Sequence, residues 1–162
     1  MKKIDISTKT YPNTFTLVDN DLFDYLNQWK WHFDGGYASR RQWIAGGKGK
    51  TLKIYLHREV MKNPEGKEVD HINMNRLDCR KSNLRACTHS ENLMNRDKNV
   101  NNTSGHKGIS WDKSRNKWAV GLKVNYKRIS FGRFNKIEDA IKAYQLGVKN
   151  YHGQYTFERG NI

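Results

Sequence analysis

Short runs of apolar and β-forming residues, separated by turn formers, mark most of the elements along this chain. Phe15–Val18 predicts a strand, and Asp19-Asn20-Asp21 behind it can cap a helix over Leu22–Asn27. Tyr37–Arg41 and Leu52–His57 alternate or carry β-formers and predict two more strands. Gly46-Gly47-Lys48-Gly49-Lys50 between them reads as a hairpin tip. A phosphate-cradling loop would need a helix directly after its glycines, and a strand pattern follows instead. Glu68–His71 and Leu84–Cys87 predict a strand pair. Thr88 with Glu91 makes a capping box, so a helix starts there with Asn92 in its first turn. Further on, Gly108–Asp112, Trp118–Val124 and Lys127–Phe134 predict three strands, turning at Lys113–Lys117 and at Asn125-Tyr126. The clearest helix comes last. Asn135 is a good N-cap with Glu138 three residues on, and Ile137, Ile141, Tyr144 and Val148 recur at helical spacing beside Ala140. Those apolar positions are read as core packed on the sheet.

The stretch Asn95–Ser104 holds one apolar residue among many turn formers and divides this pattern in two. It sets an N-terminal domain over 1–96, a linker over 97–104 and a C-terminal domain over 105–162. Hydrophobic residues are 36% of the 162, which predicts thin cores; five Trp, eight Tyr and six Phe still supply bulk for them. Charge changes the picture more. The chain carries a formal net charge of +14, and the part beyond residue 94 is shorter yet more basic than the part before it. An excess of this size points to a polyanion. Nucleic acid fits, because each phosphate contact releases condensed counterions. A membrane surface does not, because the chain has neither a basic amphipathic helix nor a long apolar run. Two cysteines, Cys79 and Cys87, are too few for a disulfide framework or a four-thiolate zinc site, and read as reduced, buried hydrophobes.

Candidate chemistry gathers at Val69-Asp70-His71-Ile72-Asn73, Ser82-Asn83-Leu84-Arg85 and Thr88-His89-Ser90-Glu91-Asn92. Hydrolysis of a phosphodiester needs an activated water, an electrophile on the phosphate and stabilisation of the leaving oxygen. A neutral His71 suits general-base work near pH 7. Asp70 and Asn92 offer hard oxygens that suit Mg²⁺ or Mn²⁺. Asn83 lies 12 residues after His71, and Asn92 nine after Asn83. With these spacings the strand–loop–strand–helix unit resembles the HNH endonucleases, whose shared element is a ββα-metal fold, in an H-N-N variant. Leu56-His57-Arg58, Asp70-His71-Ile72-Asn73 and Ser82-Asn83-Leu84-Arg85 resemble the phage and intron-encoded homing branch. The resemblance implies His71 as catalytic base and Asn83 as the residue that holds the His71 loop through its amide. It implies Asp70 and Asn92 as metal ligands. His89 reads as part of the helix start, and Asn73 and Asn75 as shapers of the loop. His57 has no role derivable from sequence.

Residues Gly105–Tyr155 resemble the APETALA-two/ethylene-response-factor DNA-binding domain. The words are Gly108-Ile109-Ser110-Trp111, Lys117-Trp118-Ala119-Val120, Phe131-Gly132-Arg133-Phe134, Ala143-Tyr144 and Gly153-Gln154-Tyr155. That resemblance implies a three-stranded antiparallel sheet packed on one helix, with the sheet in the major groove. Trp111, Lys113, Arg115, Lys117, Lys123, Lys127, Arg128 and Arg133 are its candidate DNA contacts, with Arg58 and Arg85 in the first domain. Strands alternate faces, so not all of them can reach the same duplex. Trp118, Phe131 and Phe134 read as core.

The expectation is therefore an α+β chain: an N-terminal HNH ββα-metal nuclease domain, its core at about 68–96, and a C-terminal sheet-plus-helix module. It is expected to be a Mg²⁺- or Mn²⁺-dependent endonuclease acting on double-stranded DNA as a monomer. No membrane or small-molecule substrate is expected, and a cytoplasmic setting, phage- or intron-encoded, goes with it. The rival readings are a DNA-binding regulator without catalysis, and a basic RNA-binding or structural protein.

Overall fold

The computed structural model describes residues 1–46, 49–96 and 98–151. Its two compact units divide between Thr88 and His89. That division falls before the helix of the candidate nuclease element, whereas composition alone sets it at Asn95–Ser104. Among the described residues the fold is mixed α and β, with four small antiparallel sheets. No described helix is long and apolar enough to cross a membrane.

In the first unit, β1 (Lys2–Asp5) pairs with β2 (Phe15–Val18), and α1 (Asn20–Asn27) follows. Asp19 stands at the start of α1 without a side-chain cap bond to it; its Oδ2 instead accepts the backbone N–H of Lys81 at 2.7 Å. β3 (His32–Asp34), β4 (Tyr37–Trp43) and β5 (Thr51–Tyr55) form a sheet in that order. The β3–β4 turn is Gly35-Gly36, both at positive φ, which is what a two-residue hairpin turn of matching twist requires. The expected strand over Leu52–His57 is corrected at its end. The chain leaves β5 at Tyr55 and enters a short helix, α2 (Leu56–Val60), because Leu56 and Val60, four apart, both turn into the core. The expected hairpin tip is described only in part, since Gly47 and Lys48 lie outside the described residues.

β6 (Glu68–His71) pairs with β7 (Leu84–Cys87) in antiparallel register, Asp70 opposite Arg85 and His71 opposite Leu84. Ile4, Ile6, Val18, Leu26, Trp31, Ala38, Leu56, Val60, Val69, Cys79 and Leu84 make one core under these elements. The loop joining β6 to β7 is bound to β2. Leu17 N–H donates to Leu77 O at 2.8 Å, Cys79 N–H donates to Leu17 O at 2.9 Å, and the buried Thr16 hydroxyl donates to Leu77 O at 2.8 Å.

The second unit starts with α3 (His89–Asn95) and continues with β8 (Ile109–Asp112), β9 (Lys117–Val124) and β10 (Lys127–Phe134). β9 is the central strand. The β9–β10 turn is Asn125-Tyr126, both at positive φ, a hairpin turn that here uses a tyrosine. α4 (Ile137–Tyr151) packs on the sheet through Ala140, Ile141, Ala143 and Tyr144 against Ile109, Val120, Trp118, Phe131 and Phe134. Gly147 leaves the space on α4 that the Phe131 ring fills. The Gly153-Gln154-Tyr155 word lies outside the described residues.

Candidate active site

Asp70 and His71 end β6 and are buried, 7% and 5% exposed. A polar core in the following loop fixes where that strand stops. Asn83 spans it from the far side: its Oδ1 accepts the Asn73 N–H at 2.9 Å, and its Nδ2 donates to Asp78 O at 2.8 Å. Its own carbonyl accepts the Ile72 N–H at 2.8 Å. Asn73 Nδ2 donates to Asp78 Oδ2 at 3.0 Å, and Asn73 Oδ1 accepts the Asn75 N–H. Arg80 grips both oxygens of the Asp78 carboxylate, at 2.7 and 2.6 Å, and holds that carboxyl below its ordinary range. Buried polar groups that are paired in this way rigidify rather than destabilise.

His71 has rings on one side and sulfur on another. The His57 ring meets it edge-on at 5.0 Å, and the Tyr37 ring lies 6.1 Å away. Tyr37 and Tyr55 also pack on His57, at 5.2 and 5.6 Å, and Arg76 covers Tyr37. Cys79 Sγ stands 3.9 Å from His71 Nε2. Burial lowers the His71 pKa to about 4, with Arg76 adding to that and the Asp70 and Asp78 carboxylates opposing it. Burial lowers His57 further, to about 3, with His71 and Arg58 contributing. Both rings are therefore neutral at pH 7, the state a general base requires. His57 Nδ1 is buried without a hydrogen-bond partner among the described residues. Burial also keeps Cys79 protonated, its pKa pushed up to about 12.

Asp70 offers carboxylate oxygen, and Arg85 donates to its Oδ2 from Nε at 2.9 Å and from Nη2 at 2.7 Å. Among the described residues no three His, Cys, Asp or Glu side chains gather into a cage. The donor chemistry of Asp70 suits a hard divalent cation that keeps most of its waters. Asn92 and His89 sit on α3, in the second unit.

Two predicted DNA contacts stand differently from expectation. Arg85 is largely buried in its ion pair with Asp70. Arg58 is tied to its own loop, Nε to Asn63 Oδ1 at 2.7 Å and Nη1 to Lys67 O at 3.3 Å. Both guanidinium groups brace the site's framework. In the second unit, Lys113, Arg115, Lys117, Lys123, Lys127, Arg128 and Arg133 are all exposed. Register separates them. Lys117 pairs with Asp112, Lys123 with Arg128, and Ala119 with Arg133, so these cations share the sheet face turned away from α4. Trp111 pairs with Trp118 and Lys127 with Val124, which puts both on the opposite face. Asp112 accepts from the Ser114 hydroxyl at 2.7 Å, from Arg133 at 2.8 Å and from Arg115 at 3.3 Å, which orients both arginines; the Ser114 bond first, then the arginines, hold its carboxyl well below the usual range.

Sequence reasoning missed Tyr37 and Cys79 as neighbours of His71, and Tyr55 as a ring packed on His57. The one available signal was His57, conspicuous in Leu56-His57-Arg58 without an assignable task.

A strand, an Asp-His end, an Asn-clasped loop and a return strand define a nuclease-type site, and the HNH endonuclease family model matches residues 62–94. The chain thus carries an HNH-type domain. Protein 3.8 of Escherichia phage T7 is 34% identical over 93 residues, 57% of this chain and 76% of the phage protein. The chain belongs to the family of that phage protein.

Proposed function

We propose that this protein is a metal-dependent DNA endonuclease that hydrolyses phosphodiester bonds at a target site, nicking one strand as a homing-type monomer. The observation that carries this reading is the buried, neutral His71 at the end of β6, beside the Asp70 carboxylate and within a loop clasped by Asn83. His71 takes the proton from the attacking water. Asn83 keeps the His71 loop in register and acts on the histidine rather than on DNA. Asp70, held at a fixed angle by Arg85, and Asn92 on α3 are the residues that would hold Mg²⁺ or Mn²⁺. When bound, such an ion supplies charge neutralisation at the phosphate and the leaving 3′ oxygen.

The second unit binds flanking double-stranded DNA through the sheet face that bears Lys117, Lys123, Arg128 and Arg133, with Lys113 and Arg115 at the β8–β9 turn. The likeness to the APETALA-two/ethylene-response-factor domain supports this, and so does the antiparallel sheet with its single packed helix. Trp111 and Lys127 project from the other face and contribute only where the strand ends wrap toward the backbone.

The test is conversion of supercoiled plasmid, or a natural target duplex, to nicked product with Mg²⁺ and with EDTA. Nicking is expected with Mg²⁺ alone and is lost in His71→Ala. Nicking that survives both EDTA and His71→Ala overturns the mechanism. Tight duplex binding with no nicking under any divalent ion selects the non-catalytic regulator instead.

A further inference from the structure

The β9–β10 turn is built against local preference. Its two central residues, Asn125 and Tyr126, stand at φ 45° and 64°. A two-residue hairpin turn of that hand favours Asn-Gly, because glycine takes the second position without steric cost. Asn125 fits its place. Tyr126 puts a bulky side chain where even a Cβ is crowded. Packing does not offset this strain, since Tyr126 is 70% exposed. A strained residue that the fold does not bury points to a task outside the fold.

The surroundings indicate which task. From Lys117 to Phe134 the chain holds five cations and no Asp or Glu. Lys123 and Arg128 pair across the ribbon next to the turn-closing pair of Val124 and Lys127. The Lys123 ammonium lies 5.8 Å from the Tyr126 ring centre, so the ring stands at the tip of the cationic face. The turn is also fastened: the Asn125 N–H donates to Ser90 Oγ at 3.3 Å. A tip held in place has little freedom to lose on binding. A two-stranded ribbon fits the major groove, where base edges accept apolar as well as polar contacts.

We infer that the β9–β10 turn is a groove-entering tip and that Tyr126 is a DNA-binding residue. Its ring lies on base edges in the major groove while Lys123 and Arg128 take the flanking phosphates. The inference rests on the reading of the second unit as a DNA binder, and adds to it a contact that carries no charge. A glycine at this position would make a better turn and a poorer grip.

The test compares full-length Tyr126→Gly and Tyr126→Phe with the unchanged protein. Thermal unfolding is measured alongside fluorescence anisotropy of a labelled duplex in EDTA, which keeps metal-dependent cutting from interfering. Tyr126→Gly is expected to melt no lower than wild type, because the strain is gone. It should raise Kd for the duplex about fivefold, the loss of one aromatic anchor. The slope of log affinity against log salt stays that of wild type, because the ring releases no counterions. Tyr126→Phe keeps ring and strain and matches wild type in both measurements. Full affinity in Tyr126→Gly overturns the proposal, as does an equal loss in Tyr126→Phe. A lower melting temperature or failed folding in Tyr126→Gly overturns it too, by giving the ring a structural task. A loss seen only on single strands overturns it in favour of a stacking platform for open strands. A wild-type dimer that becomes a monomer of full duplex affinity in Tyr126→Gly assigns the ring to a second copy of the chain and likewise overturns it. If the unchanged protein shows no salt-dependent duplex binding, the DNA-binding reading itself fails; duplex binding indifferent to Tyr126 refutes this inference alone.

Discussion

The two units handle polar groups in opposite ways. In the first, Asp70, His71, Asp78 and Asn83 are buried and held by named partners. In the second, the cations of the β8–β9–β10 sheet stand in solvent, and the strongest local tie is an exposed cluster on Asp112. The difference teaches what each arrangement is good for. Buried groups are pre-oriented and strongly coupled, which suits bond breaking. Exposed groups are screened and interchangeable, which suits attraction to a phosphate backbone of any sequence. Damage to the first should therefore be large and local, and damage to the second small and cumulative.

Removing the base gives the largest expected effect. His71→Ala should cut the nicking rate by about 10²- to 10⁴-fold, with duplex affinity in gel shifts within a factor of about two, since no phosphate contact is lost. A parallel loss of affinity would break the division of labour between the units. Next comes the clasp. Asn83→Ala strips partners from the Asn73 N–H and the Asp78 carbonyl. It should cost roughly 1–3 kcal/mol for the buried Asp78 carbonyl left unpaired, and lower the melting temperature by several degrees. An Asn83→Ala protein that melts like wild type while still folded would deny Asn83 its hold on the loop.

Acid sharpens the same contrast. His57 and His71 have folded pKa values near 3 and 4, below the unfolded value of 6.5. The unfolded chain therefore binds protons first as pH falls. Stability from these rings is complete above about pH 6.5 and drains away as pH drops toward 4, at up to about 1.4 kcal/mol per pH unit for each ring. Urea midpoints at pH 7 and pH 5 should show the loss, and the double variant His57→Phe/His71→Phe should flatten it. The smallest expected effect belongs to the second unit. Replacing any one of Lys117, Lys123, Arg128 and Arg133 by Ala should reduce the slope of log affinity against log salt by about 0.9 and leave kcat at saturating DNA unchanged. Lys127→Ala, on the other sheet face, should change the slope less, and an equal change would mean that both faces meet DNA.

Much of this was legible in the chain itself. The β6 and β7 strands, the capping box opening α3 and the β8–β9–β10–α4 succession follow from local pattern: paired runs, a two-residue turn, a helical apolar repeat. The spacing of Asp70, His71, Asn83 and Asn92 exposed the candidate chemistry for the same reason. What escaped depends on contacts between distant segments. Leu56-His57 continues a run of β-formers, and only the burial of Leu56 and Val60 on one side of α2 turns it into helix. Tyr37, His57 and Cys79 come from separate elements and meet at His71 only after folding, with Tyr55 packed behind His57. Arg58 and Arg85 look like surface cations in sequence, and their acceptors appear only when the loops close. The Thr88/His89 division differs from the composition break because α3 keeps company with the unit that follows it.

The stitching of β2 to the His71 loop carries a consequence for how the protein comes into being. Thr16 and Leu77 are bonded across 61 positions of chain, and Asp19 and Lys81 across 62. Contacts of such separation form late, after local turns and helices. On a ribosome the loop has nothing to dock on unless β2 has already emerged, and β2, though able to pair with β1, lacks its loop partner until residue 81 is out of the tunnel. A prematurely terminated product lacking β6 and β7, or one missing its first eighteen residues, would carry no assembled cutting centre. On the proposed function, partial synthesis would then leave DNA uncut.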